Sequence, residues 1–231
     1  MSLKTSIAST VRDQLRTAIL KGELAPRQRL RLEELGASYR VSLSPVREAL
    51  LRLMGERLVV GEDQRGFAVA ETSLANLDEV MALRMLLEPH ALRLAMASGG
   101  IDWEERLVAL AHRLRRIEAE FAAPLALEDW EQAHREFHLA LLSACGMPLL
   151  LDFCSMLYDL ADRYRRLYLA RHPPQRDVGA EHEEILRLAV ARDHAACDLL
   201  HEHIQRTGIV VAAFMRESTP LTPPPGPPSA P

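Results

Sequence analysis

Cysteines and long apolar runs are scarce in this chain. Both features restrict the kind of protein that the sequence can encode. Only three cysteines occur among the 231 residues, without a CxxC pair or a regular framework. We therefore expect buried thiols in a reducing cytoplasm. No stretch approaches the roughly 18 consecutive apolar residues that a membrane span needs, and the N-terminus lacks the apolar core of a secretory signal. The sequence predicts a cytoplasmic protein with no membrane partner.

Catalytic motifs are missing as well. The sequence contains no HExxH motif, no nucleophile motif and no glycine-rich phosphate loop. Because metal-dependent hydrolases and nucleotide-binding enzymes commonly carry such motifs, their absence argues against an enzyme.

The formal net charge of −4 conceals an asymmetry along the chain. Residues 1–72 hold 12 lysines and arginines against 9 acids, whereas the remainder holds 16 against 23. The first third is basic enough to face phosphate groups, and the rest would be repelled by them.

Three helices are predicted in the basic segment. Apolar residues at helical spacing predict a helix over residues 7–21 and a short one over 30–39. The third begins where Ser42 or Ser44 can cap free amides, and Pro45 is tolerated in its first turn. Its predicted buried stripe comprises Val46, Ala49, Leu50 and Leu53.

A small hairpin and a long helical region follow. Two strand-like pieces, 58–61 and 67–70, flank the turn EDQRG, and three helices before a hairpin indicate a winged helix-turn-helix over residues 1–72. Six helices predict an all-α bundle over 73–217, so the fold class is mainly α. Residues 218–231 are rich in proline and are predicted to be a disordered tail. The six helices are predicted near 73–97, 102–121, 127–144, 147–171, 178–191 and 193–216.

The basic segment resembles a known family. The runs LRTAILKGELAPRQRL, VSLSPVREALLRL and RGFAV resemble the GntR family of bacterial regulators. This resemblance implies binding to double-stranded operator DNA, with the third helix as the recognition helix in a major groove.

Candidate DNA contacts lie on the recognition helix and the hairpin. Arg47 is the strongest, because a guanidinium can grip a guanine or a phosphate with two bonds; the alternative is an ion pair with Glu48 or Glu56. The resemblance implies a minor-groove contact by Arg65 and Gly66, and Arg65 is otherwise a solvated turn residue. The remaining candidates are Ser42, Ser44, Arg31 and Arg40.

The recognition segment departs from many relatives. Glu33 and Leu43 stand where those relatives carry arginines, and Arg27 replaces a glycine after Pro26. The operator sequence therefore cannot be transferred from relatives, and other arginines are expected to contact the DNA backbone.

The helical region has a second resemblance. The phrases EVMALRMLLEPHALRLA, HREFHLALLSACGMPLL and EHEEILRLAVARDHAACDLLHEHI resemble the FCD domain of the FadR branch of this family. The resemblance implies a metal in the centre of the bundle, held at the positions His134, His138, His182 and His203. Helical spacing places all four side chains on inward faces, and nitrogen ligands favour zinc or nickel over magnesium.

His134 is a departure, because metal-binding relatives usually carry aspartate there. Either four histidines form the site, or three hold the metal and leave open positions for a carboxylate. The alternative without a metal is a set of histidines hydrogen-bonded inside a polar pocket.

Effector-binding candidates lie on two other helices. Arg84 is on an inward stripe, and the resemblance implies that it holds the carboxylate of a small organic acid; the alternative is an ion pair with Glu88. Arg163 and Tyr164 are further candidates. A polar, metal-centred pocket favours a small acid over a fatty acyl group.

The leading hypothesis is a homodimeric, ligand-controlled transcription factor that acts as a repressor. Effector binding would shift the population between two arrangements of the paired recognition helices. A metal sensor, in which the divalent ion is itself the signal, is the alternative, and a metal-dependent enzyme is a distant third.

Overall fold

The protein consists of a small N-terminal unit and a helical C-terminal unit. The computed structural model describes residues 6–62, 66–119, 126–169 and 176–218. Its helices are α1 (Ile7–Leu20), α2 (Leu32–Tyr39), α3 (Leu43–Gly55), α4 (Leu74–Ser98), α5 (Ile101–Ala119), α6 (Ala126–Leu142), α7 (Pro148–Leu169), α8 (Val178–Val190) and α9 (Ala195–Ser218). Its strands are β1 (Arg29–Leu30), β2 (Val59–Glu62) and β3 (Gly66–Val69). The mainly α fold, with a winged helix-turn-helix before an all-α bundle, is confirmed.

Helix α1 shows why the N-terminal unit folds as it does. The hydroxyl of Ser6 accepts a hydrogen bond from the backbone amide of Ser9 and so caps the first turn. One face buries Val11, Leu15 and Ile19, which are spaced four residues apart and form the core with α3. The helix packs on α3 and also reaches α7 of the bundle.

The sheet contains a strand that the sequence did not predict. The strand order is β1-β3-β2, and β1 pairs antiparallel with β3 so that Leu30 lies opposite Phe67. The prediction that a helix begins at Leu30 is therefore wrong, because α2 starts only at Leu32. Leu30 takes part in the strand ladder instead, and its side chain is buried against the core.

In the bundle, α4 occupies the central position and packs against α9, α7 and α6. Ser73 caps it by accepting a hydrogen bond from the backbone amide of Asn76, and one face buries Leu77, Val80 and Met81. Helices α5 and α6 pack together, as do α8 and α9. The proposed disordered tail lies almost wholly outside the described residues, which end with α9 at Ser218.

Candidate functional site

Four histidines from three helices meet inside the bundle. His134 and His138 lie one turn apart on α6, His182 lies on α8 and His203 on α9. All four are buried, and one potential ligand atom of each lies within 4.8 Å of the others. The ring centroids of His138 and His203 are 5.2 Å apart, and those of His134 and His182 are 4.9 Å apart. The structure thus brings together the four residues that the sequence proposed as metal ligands.

Burial disfavours the charged form of the four histidine rings. Burial lowers the pKa of His134, His138 and His182 well below the usual range of an imidazole, and the neighbouring rings lower it further. Burial also lowers the pKa of His203, although Glu181 opposes the shift. A neutral imidazole keeps one ring nitrogen with a free lone pair, which is the form that binds a metal.

Two of the four rings are oriented by neighbouring side chains. Nδ1 of His203 lies 2.7 Å from Oε2 of Glu181, and Nδ1 of His134 lies 2.5 Å from the hydroxyl of Tyr158. A carboxylate or hydroxyl on one ring nitrogen is the usual support for a histidine whose other nitrogen binds a metal. These contacts leave Nε2 of both rings for a ligand.

The other two rings test whether the site fits a metal. Nε2 of His138 faces Nε2 of His182 at 3.3 Å, while neither Nδ1 has a hydrogen-bond partner within the described part of the chain. Two neutral imidazole nitrogens that face each other this closely would either share one proton or bind a cation together, whereas the two Nδ1 atoms point in another direction and would not bind the same cation. Four neutral nitrogen donors that face one another suit a borderline cation such as zinc or nickel. The residues present therefore fit a divalent metal.

A cavity of about 550 Å³ opens beside the histidines. His134, His138 and His203 form part of its wall, whereas His182 does not line it. The volume lies in the range of small-molecule sites, roughly 300–1,000 Å³. Other polar side chains that line the cavity are Arg84, Glu118, Trp130, Glu131, Tyr158, Asp162, Arg165, Arg176, Asp177 and Thr207.

Arg84 lines this cavity and is also paired within its own helix. Nε and Nη2 of Arg84 donate to the carboxylate of Glu88 at 2.5 and 3.3 Å, and both side chains are buried. Its guanidinium also lies 5.0 Å from the ring centroid of Tyr158. The ion pair with Glu88, which was the alternative interpretation, is thus present. The hydrogen bonds of Arg84 to described residues are made by Nε and Nη2.

A buried charge cluster forms a second part of the wall. Arg165 donates to both Glu131 and Asp162, and its guanidinium lies 5.0 Å from the ring centroid of Trp130. Burial raises the pKa of Glu131 to about 7 against the opposing effect of Arg165. Although burial acts to raise the pKa of Asp162, Arg165 and Arg166 lower it overall. The cluster therefore places Arg165 close to the histidines, where its positive charge is paired with the carboxylates of Glu131 and Asp162.

Arg163 and Tyr164, the other two effector-binding candidates, are not among the residues that line this cavity. Nη2 of Arg163 donates to the carbonyl oxygen of Ala70, and the hydroxyl of Tyr164 accepts from the backbone amide of Ser73 at 3.1 Å. Because successive residues of a helix are about 100° apart, these two point away from the face that carries Arg165. They hold the connection between β3 and α4.

Sequence reasoning missed several cavity residues. Tyr158, Asp162 and Arg165 follow one another at helical spacing on α7, and this periodicity would have found them. Trp130 lies one turn before His134 and stacks on its ring at a centroid distance of 4.5 Å. Arg176 precedes α8, where no periodic pattern points to it.

The candidate DNA contacts lie in the N-terminal unit. Ser42, Ser44 and Arg47 are exposed at the start of α3, and the hydroxyl of Ser42 makes no capping hydrogen bond. Glu48 pairs with Arg52, and Glu56 pairs with residues of α1. Among the described residues, Arg47 therefore has no ion-pair partner.

The other candidates differ in their surroundings. Arg31 is exposed and pairs with Glu34 at 3.1 Å, and Arg40 is exposed at the C-terminus of α2 with a positive φ of 55°. Gly66 begins β3 with a φ of +89°, a conformation that favours glycine. Arg65 lies outside the described residues.

Comparison with known families covers both units. The family model for bacterial regulatory proteins of the gntR family matches residues 7–69, and the FCD domain model matches residues 79–206. The chain belongs to the GntR family. Its C-terminal bundle is an FCD domain, as in the FadR-like subfamily, and the resemblance seen in the sequence is confirmed.

Relatives extend the match over most of the chain. The HTH-type transcriptional regulator BphR of Paraburkholderia xenovorans is 40% identical over 90% of this chain and 86% of its own length. The HTH-type transcriptional repressor GlaR of Escherichia coli is 35% identical over 82% of this chain and 89% of its own length. The structure of E. coli McbR/YncC superposes with a TM-score of 0.74 at 25% identity, covering 93% of this chain and 99% of that one.

These findings identify the protein as a DNA-binding transcriptional regulator with an FCD domain. Its family and relatives are transcriptional regulators and not enzymes. This agrees with the prediction that the protein is not an enzyme. Among the helices that the structure describes, none combines the length and apolar character needed to cross a membrane.

Proposed function

We propose that this GntR-family regulator is a repressor whose affinity for its operator is controlled by a small carboxylate bound beside a metal in the FCD domain. The observation that carries the proposal is the buried cluster of four histidines at the wall of a cavity. The cavity supplies space for an organic effector, and Arg47, which has no ion-pair partner among the described residues, is exposed near the start of α3.

The proposed metal is zinc or nickel. His134, His138, His182 and His203 would hold it, or the last three would do so with His134 remaining on Tyr158. A bound divalent cation would supply positive charge and a coordination position for a carboxylate oxygen. Nη1 of Arg84 and the hydroxyl of Tyr158 would orient the same group, because both residues line the cavity.

The proposed functional unit is a homodimer. Leu83 and Leu86 of α4 and Leu149 and Phe153 of α7 are exposed apolar side chains on two helices that pack together. A second copy on this face would cover them, since contiguous exposed apolar side chains commonly mark an interface. A two-fold dimer would place two α3 helices in successive major grooves. Ser42, Ser44, Arg47, Arg31 and Arg40 would contact the duplex, with Arg65 and Gly66 at the minor groove.

The effector hypothesis predicts that at least one carboxylate weakens operator binding by the metal-loaded protein by tenfold or more. The operator is first selected from a random duplex library, and its affinity is then measured with and without a panel of mono-, di- and tricarboxylates. The same titration with zinc or nickel alone provides the comparison. If the metal changes the affinity and no acid does, the protein is a metal sensor, and the carboxylate effector is contradicted.

A further inference from the structure

The cavity changes character along its length. On α4 its lining passes from Arg84 to Met81 and then to Leu77, and on α9 it passes from His203 to Val210 and Val211. On each helix, the stretch between the first and the last of these residues covers about two helical turns, or roughly 10 Å along the helix axis at about 1.5 Å per residue. On these two helices the lining is polar near the histidines and mainly apolar beyond them, apart from Thr207 on α9, while Asp162 and Arg165 of α7 contribute charged groups to the wall.

The size of the cavity also exceeds what a short acid fills. A cavity of roughly 150 Å³ already holds a benzene molecule, and this one measures about 550 Å³. An apolar wall next to a short, fully polar acid would remain in contact with water. Burial of apolar surface would stabilise an occupant that reaches this wall.

We propose that the effector is an amphipathic monocarboxylic acid, with its carboxylate at the histidines and an apolar chain or ring against Met81, Leu77 and Val211. An extended chain advances about 1.2 Å per bond, so roughly eight carbons would span the apolar section. This inference rests on the proposed carboxylate effector and specifies its class, and it departs from the sequence-based expectation of a small acid without a fatty acyl chain.

A chain-length series tests the class of effector. Acetate, hexanoate, octanoate and decanoate are titrated into the purified protein by calorimetry, with 1-octanol as the uncharged counterpart. Affinity should rise about fourfold for each methylene up to roughly eight carbons and then level off, because each buried methylene contributes a similar free energy. Octanol should bind at least tenfold more weakly than octanoate.

Two variants locate the chain within the cavity. Val211→Phe should abolish the gain from hexanoate to octanoate while leaving acetate binding unchanged, and Ile209→Phe, which changes an exposed residue of the same helix, should bind as wild type. Affinity that is independent of chain length, with tight binding of a short polyacid, would overturn the amphipathic class and leave the proposed function intact. Binding of no carboxylate at all would contradict both.

A separate observation concerns the contact between the two units. Asp159 on α7 accepts hydrogen bonds from Arg135 of α6, with Nε at 2.8 Å, and forms an ion pair with Arg16 of α1. Arg16 in turn binds Glu56, the C-cap residue of α3, with Nε 3.2 Å from Oε2. Arg12 binds the other oxygen of Glu56 at 3.2 Å. A continuous series of ion pairs thus joins the bundle to the end of the recognition helix.

Helix α7 has two faces with different partners. Tyr158 and Arg165 line the cavity, whereas Asp159 and Arg163 contact the DNA-binding unit and its connection to α4. Arg135 directly follows His134 along α6, so the ion-pair series begins beside the histidine cluster. A charged pair at an interface fixes orientation more than it adds affinity.

We infer that Asp159 is the positioning residue that fixes the orientation of α3 relative to the bundle. In the proposed dimer this orientation sets the distance between the two recognition helices, and hence the spacing of the half-sites. The inference rests on the proposed dimer and concerns its geometry.

Half-site spacing provides the test. Affinity is measured on duplexes whose half-site spacing differs by one or two base pairs from the selected operator. The affinity of the wild-type protein should fall at least tenfold when the spacing is shorter or longer than in the selected operator. The affinities of Asp159→Asn and Arg16→Gln should each vary less than threefold across the series. Asp152→Asn, an exposed position on the same helix, is the control.

The double variant Arg16→Gln/Asp159→Asn should have the same flat dependence on spacing as the single variants, because the ion pair between Arg16 and Asp159 is lost in all three. A sharp spacing optimum retained in both single variants would overturn the role of Asp159. If the wild-type protein bound one half-site as tightly as two, the proposed dimer itself would be contradicted.

Discussion

The Arg47→Ala variant is expected to bind its operator on the order of 100-fold more weakly than the wild-type protein. A bidentate arginine contact to a base contributes roughly 1–3 kcal/mol, and a dimer would lose two such contacts. Arg47 is exposed on the first turns of α3, and both acids that could have paired with it are bound by other arginines. Its guanidinium is therefore available to a duplex.

Arg52→Ala is the matched control for this measurement. Arg52 lies on the same helix, but Nη2 binds Glu48 at 2.5 Å and the residue is in the last turn. Operator affinity, by fluorescence anisotropy, should change by less than threefold in Arg52→Ala, and both variants should keep the wild-type melting temperature. An unchanged operator affinity in Arg47→Ala would show that another surface reads the DNA.

Much of the fold followed from local patterns. The stripe of Val11, Leu15 and Ile19 predicted α1, whereas the four histidine positions were implied by the family resemblance and supported by the inward stripes on α6, α8 and α9. Periodicity of this kind records which face of a helix is buried. The strand at Leu30 could not be predicted in the same way, because its partner Phe67 is distant in sequence.

The effector-binding candidates on α7 show a second reason why the cavity residues could not all be predicted from the sequence. Arg163 lies on an apolar stripe, and the stripe does face a core, but that core is the junction with the DNA-binding unit. Helix α7 is buried on two sides, so apolar spacing alone does not say which side holds the cavity. Arg165, two positions on, lines the cavity instead. The choice between these faces depends on tertiary packing.

From the sequence, the ion pair of Arg84 could be predicted only as an alternative to a contact with the effector. The spacing of Arg84 and Glu88 permits an ion pair, and the structure contains it. Glu131, Asp162 and Arg165 come from two helices, and their association depends on how α6 and α7 pack. Arg176 lies before α8 in a segment without periodicity, so no pattern could have assigned it to the cavity.

Removal of one histidine should empty the proposed metal site. His138 and His182 face each other through their Nε2 atoms, and their other ring nitrogens lack partners among the described residues. Alanine at either position removes one nitrogen donor from a set of four, and loss of a ligand lowers metal affinity steeply. The metal content of both variants should fall below one tenth of the wild-type content.

The central claim is that these buried histidines hold a divalent cation, and elemental analysis of protein made without a polyhistidine tag tests it most directly. The account predicts about one zinc or nickel ion per chain, lost in His138→Ala and His182→Ala. His112→Ala, at an exposed position on α5, should retain the ion. A wild-type protein without metal, or equal metal content in all variants, would contradict the account.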